Sequence, residues 1–71
     1  MTGDDVEALI GEHVPGTDGY RFAALERALG DGVRVQIVDA KGDEIGWAAG
    51  PTKHDVIRDA KRQTSAHAAR R

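Results

Sequence analysis

The sequence predicts a small α+β domain in which helices cover one face of an antiparallel β-hairpin, in the order α-α-β-β-α. Three observations carry this reading. Residues 33–37 alternate apolar and polar with period two, residues 45–49 do so more weakly, and a glycine-containing turn lies between them. Residues 53–68 repeat apolar positions at helical spacing behind a capping pair. Shorter stripes of the same helical kind occupy residues 4–13 and 19–29.

The first helix is expected over about residues 4–13. Thr2 and Asp5 have capping-box spacing, with Asp in place of the usual Glu or Gln. Val6, Leu9, Ile10 and His13 then share a face, and Val14-Pro15-Gly16-Thr17 ends the helix, because Pro and Gly are the strongest local breakers. A second helix is expected over about residues 19–29, with Asp18 as its N-cap and Gly30 at the C′ position. Phe22, Leu25, Ala28 and Leu29 form its apolar face, although Tyr20-Arg21-Phe22 can instead open a strand.

In the hairpin, over about residues 33–49, Val33, Val35 and Ile37 are expected to share a buried face with Ile45, Trp47 and Ala49. Arg34, Gln36 and Glu44 then lie on the other face. Gly42, inside Asp39-Ala40-Lys41-Gly42-Asp43, supplies the left-handed residue of a short bulged loop. Trp47 is read as the largest side chain of the core. Gly50-Pro51-Thr52 ends the second strand, and the last helix runs over about residues 53–68. Thr52 and Asp55 repeat the capping-box spacing, and Val56, Ile57, Ala60 and Thr64 form a narrow inward stripe.

With 71 residues there is room for one domain. Apolar residues make up 39% and charged residues 31%, which is too apolar for a disordered chain. Trp, Tyr, Phe and Met occur once each, so the core must be built from Val, Ile, Leu and Ala. At about 1.5–3 kcal/mol per fully buried large side chain, such a core only just offsets ordering entropy. A protein partner or a second copy is the expected supplement.

The chain has no Cys, which removes disulfides and thiolate metal sites and fits a reducing compartment. The acidic start Met1-Thr2-Gly3-Asp4-Asp5 lacks the apolar region of a signal peptide, and no apolar run is long enough to span a bilayer. A cytoplasmic location without membrane contact is therefore expected. Heavy use of Ala, Gly, Val, Asp and Arg, with no Asn, is the usage of a GC-rich genome, which points to a bacterial or phage accessory protein.

The formal net charge of −2 hides a split. Residues 1–52 carry ten acids against four bases, a net −6, whereas residues 53–71 carry six bases against Asp55 and Asp59, a net +4. On a helical wheel His54, Arg58, Lys61 and Arg62 fall within an arc of about 100°, opposite Val56 and Ala60. Such a face is either a solvated outer surface or a contact for phosphates or an acidic protein, since clustered cations raise the local potential and steer association. The acidic front portion weighs against DNA, because it repels a phosphate backbone.

The remaining motifs are weak. Gly46-Trp47-Ala48-Ala49-Gly50-Pro51-Thr52-Lys53 has a superficial phosphate-loop look, but Pro51-Thr52 separates the second Gly from Lys53 and His54 follows. Thr52 and Lys53, at a helix start with free backbone N–H groups, are left as a candidate site for a lone anion. The same helix start resembles the closing helix of double-stranded-RNA-binding domains over a short stretch. Those domains carry a third strand and a basic run there, whereas two strands are predicted here and Asp55 follows His54, so the likeness is not adopted.

A helix-turn-helix reading fails because its recognition helix offers only Arg21 and Arg27 against Glu26. His13, His54 and His67 lack metal-ligand spacing, and His13 and His67 are read as core-edge residues and His54 as a surface one. No hydroxyl has an acid and a His that the sequence places as a triad, so no catalytic residue, metal, cofactor or small-molecule substrate is assigned. The expected function is a non-catalytic interaction or regulatory module, in homodimeric form or with a protein partner, and nucleic-acid binding through the last helix is the alternative.

Overall fold

The computed structural model describes residues 6–17, 19–27 and 32–70. It is an α+β arrangement, with a three-stranded antiparallel sheet and one long helix. In chain order the elements are β1 (Arg21–Arg27), β2 (Val33–Val38), β3 (Glu44–Gly50) and α1 (Lys53–Ala69), with sheet order β1-β2-β3. No helix among the described residues is long and apolar enough to cross a membrane.

The expected α-α-β-β-α order is corrected at its second element, which is a strand and not a helix. β1 pairs with β2 through Phe22↔Ile37 and then, after a register shift, through Leu25↔Val35. One extra residue of β1 is accommodated between those pairs, so its inward residues stand three apart instead of two. That spacing imitates a helical stripe. With β1 a strand, the helix-turn-helix reading has no recognition helix. The expected cap Asp18, the apolar positions Ala28 and Leu29, and Gly30 lie outside the described residues.

The first helix ends earlier than expected, and its expected cap, Thr2 and Asp5, lies outside the described residues. Val6 and Glu7 are helical, turns follow, and Gly11 takes a positive φ of 88° that ends the coil. Residues 11–14 then run antiparallel to the start of β1: Gly11 N–H donates to Phe22 O at 2.8 Å, Phe22 N–H to Glu12 O at 2.9 Å, and Val14 N–H to Tyr20 O at 2.9 Å. Val6 and Leu9 are buried as expected, but Ile10 is 38% exposed. His13 is exposed and bridges Arg21 through the backbone, so it is not a core-edge residue.

The hairpin forms where the alternation placed it, and Gly42 is left-handed in its turn at φ 89°. Val33, Val35 and Ile37 of β2 are buried. The face assigned to β3 is corrected. Val35 pairs with Ala48 and Gln36 with Trp47, so Gly46, Ala48 and Gly50 face the core while Trp47 and Ala49 face out. Ile45 is the extra residue of a second bulge, beside the Ile37/Val38 shift, and packs against the core edge. The apolar–polar pattern misled here because the inward positions of β3 are its smallest residues.

Their smallness has a reason: α1 lies directly on β3. A Cβ on Gly50 would stand 2.5 Å from Asp55 Cβ and 3.2 Å from two backbone atoms of the helix start, and one on Gly46 would overlap Gln63 Oε1. α1 begins as expected, with the Thr52 hydroxyl accepting Asp55 N–H at 3.2 Å. Val56, Ala60 and Thr64 face inward and are buried, and Ile57 packs beside them. The core is completed by Val6, Leu9, Val14, Tyr20 and Phe22.

Candidate functional site

Because Val56, Ala60 and Thr64 are fixed against the sheet, the opposite face of α1 must look outward. His54, Arg58, Lys61 and Arg62 are all exposed there, as is Lys53 at its start. Arg62 differs from the others: its guanidinium pairs with the Asp59 carboxylate, so part of its charge is already answered. Arg58 and Lys61 make no ion pair among the described residues.

Asp59 is the hinge between this face and the sheet. Its carboxylate accepts Ala49 N–H at 3.0 Å and the Gln63 amide at 3.0 Å, as well as Arg62. Burial pushes the Asp59 carboxyl up, but Ala49 N–H, Arg62 and Gln63 together outweigh that and hold it below the ordinary range. The Gln63 amide also donates to Trp47 O at 2.7 Å. Two outward backbone groups of β3 are thus covered by helix side chains, and pairing of a second copy along this edge would have to displace them.

Thr52 and Lys53 come together at the start of α1, but the position holds its own carboxylate. The Thr52 hydroxyl accepts Asp55 N–H and donates to Asp55 Oδ2 at 2.8 Å. An incoming anion would compete with Asp55 for the positive end of the helix.

The open face of the sheet carries a set of cross-strand pairs that the alternation of β3 concealed. Arg34 Nε donates to Glu26 Oε1 at 2.8 Å, and its guanidinium lies 5.1 Å from the centroid of the Trp47 ring. Gln36 donates to Glu44 at 2.7 Å. Trp47 is half-buried by this stacking and does not sit in the core. The signal for it was the run of small residues Gly46, Ala48 and Gly50 at alternate positions, which marks close approach of another element.

His67 is half-buried as expected and has a partner that sequence reasoning could not supply: its Nδ1 lies 2.8 Å from the Tyr20 hydroxyl, with the two rings edge to face. His54 is a surface residue. Asp39 organises the β2–β3 turn, where it accepts the backbone N–H of Asp43 at 3.0 Å and of Lys41 at 2.9 Å. The Asp43 N–H is the chief reason that its carboxyl is lowered from the ordinary value, partly countered by desolvation.

No family model matches this chain, and no curated protein or solved structure matches it either.

Proposed function

We propose that the domain is a non-catalytic interaction module, cytoplasmic and regulatory in character, that docks an acidic protein surface on the outer face of α1. The observation that supports this is the exposed row His54, Arg58 and Lys61 on a helix whose other side is anchored by Val56, Ala60 and Thr64. Clustered cations on a rigid element steer an acidic partner and fix its orientation. That partner can be a second copy, since residues 1–52 carry the opposite charge. The covered β3 edge favours the helix face over pairing along that edge as the means of association.

A second reading uses the same face for nucleic acid. β1 supplies a third strand, which removes one of the two differences from double-stranded-RNA-binding domains, although Asp55 still interrupts the basic run.

The test replaces His54, Arg58 and Lys61 together with Gln, leaving Arg62 to its Asp59 partner. The fold is expected to survive, since none of the three is buried. Under the protein reading, light scattering or cross-linking shows a salt-sensitive complex that maps to α1 and is lost in the variant, and the parent binds neither duplex nor single-stranded nucleic acid at physiological salt. Under the second reading the parent binds nucleic acid with a log–log salt slope of about 0.9 per phosphate on B-DNA, and the variant loses about two units of it, for Arg58 and Lys61. If parent and variant behave alike in every assay, the face is only solvated and both readings fall.

A further inference from the structure

A separate concavity, sharing only Lys61 with the basic face, lies where the turn after Val14 leans over the second half of α1. It is a groove of about 460 Å³ between Pro15 and Thr17 on one wall and Lys61, Ser65 and Ala68 on the other, with Tyr20 at its base. That volume lies within the range of about 300–1,000 Å³ seen for small-molecule sites. Lys61, Ser65 and Ala68 fall at i, i+4 and i+7, so they form one continuous wall of the helix.

The hydrogen-bonding state of the groove defines what it can hold. Tyr20 is only 4% exposed and its hydroxyl is paired with His67 Nδ1, so the base of the groove is fixed. The Thr17 hydroxyl donates to Val14 O at 2.7 Å, and that of Thr64 donates to Lys61 O at 3.1 Å. With its proton committed, the Thr17 oxygen is left as an acceptor for a ligand O–H group, whereas Thr64, at 1% exposure, lies behind the wall and is closed to a ligand. Lys61 is the only charged residue among the described ones that line the groove, and it calls for an anion. Pro15 and Ala68 leave apolar surface for a carbon skeleton.

We propose that this groove binds a small hydroxylated oxyanion, a compact polyol bearing a phosphate or a carboxylate, with the anionic group on Lys61 and Ser65 and a ligand hydroxyl on Thr17. The phosphate and the carboxylate are two sources of the same chemistry. The groove is distinct from the docking face, and it stands if that face proves to be merely solvated.

The experiment is a titration of the ¹⁵N-labelled full chain at fixed ionic strength with glucose 6-phosphate, gluconate, glucose and inorganic phosphate. Saturable shifts are expected at Thr17, Lys61 and Ser65 with glucose 6-phosphate or gluconate, and the tighter of the two identifies the anionic group. Glucose and inorganic phosphate should each bind at least tenfold more weakly. Lys61→Gln should weaken binding about tenfold. Ala68→Trp, at an exposed wall position, should abolish it while leaving the amide spectrum folded and any complex made through His54 and Arg58 intact. No saturable shift with either hydroxylated anion would overturn the proposal. So would shifts centred on His54 and Arg58, or binding unchanged in both variants.

Discussion

The Asp59 carboxylate accepts the backbone N–H of Ala49 at 3.0 Å, ten residues earlier in the chain. One turn on, Gln63 donates to Trp47 O at 2.7 Å. A strand at the edge of a sheet ordinarily presents unpaired backbone groups to water and to other chains. Here the helix that packs on the sheet also reaches around to cover the edge, so one element serves both the core and the border.

Asp59→Ala removes the acceptor of Ala49 N–H and leaves Arg62 and Gln63 without their shared partner. The expected cost is about 1–3 kcal/mol, the range for unsatisfying a partly buried hydrogen-bonding group. The uncovered edge should also raise self-association, seen as a concentration-dependent mass in light scattering. An unchanged urea midpoint and mass would show that the covering contributes nothing.

Acid should weaken the fold through two carboxyls. Asp39 and Asp59 are both lowered in the folded state, so the unfolded chain takes up their protons at higher pH than the native one does. Their contribution is complete above the ordinary Asp value of about 3.9 and fades as pH falls through it towards the lowered folded values. Urea midpoints measured from pH 6 to pH 3 should decline, and the Asp39→Asn, Asp59→Asn double variant should decline less steeply. An equally steep decline in that variant would assign the acid sensitivity to other groups.

Gly50→Ala places a methyl against Asp55 Cβ and the backbone of the helix start, which cannot swing aside. A loss of about 1–3 kcal/mol is expected, as for other overpacked contacts. At Gly46 the neighbour is the end of the Gln63 side chain, which can move, at the cost of its bond to Trp47 O. Gly46→Ala should therefore be the milder change in thermal melts, and the reverse order would contradict the close seating of α1 on β3.

Trp47→Ala should cost about 1–2 kcal/mol, the scale of a stacked cation–π contact with some area loss. Phe22→Ala, at a residue 1% exposed in the core, should cost about 3–5 kcal/mol. Chemical denaturation of the two variants side by side decides the matter. A Trp47 variant as damaged as the Phe22 one would return Trp47 to the core.

The last helix was legible because its cap, its inward stripe and its outward cations all follow from a single periodicity between Thr52 and Ala69. The basic face came with it, since fixing Val56 and Ala60 inward fixes Arg58 and Lys61 outward. β1 was misread because a bulge sets Phe22 and Leu25 three apart on one face, and a period of three reads as helix. β3 was misread because apolar character was taken as the mark of the inner face, whereas closeness to α1 selected Gly46, Ala48 and Gly50 by size. The Tyr20–His67 contact joins residues 47 apart in sequence, and only tertiary packing brings them, or the two walls of the groove, together.

Trp47 is the single indole of the chain, and it lies on the open face of the sheet under Arg34. Its emission is therefore an optical gauge of that face and not of the interior. Unfolding should change it only modestly, so circular dichroism must follow the melting of the core. Anything that settles on the sheet, or that draws Arg34 and its Glu26 partner away from the ring, should register in the indole spectrum before any secondary structure is lost.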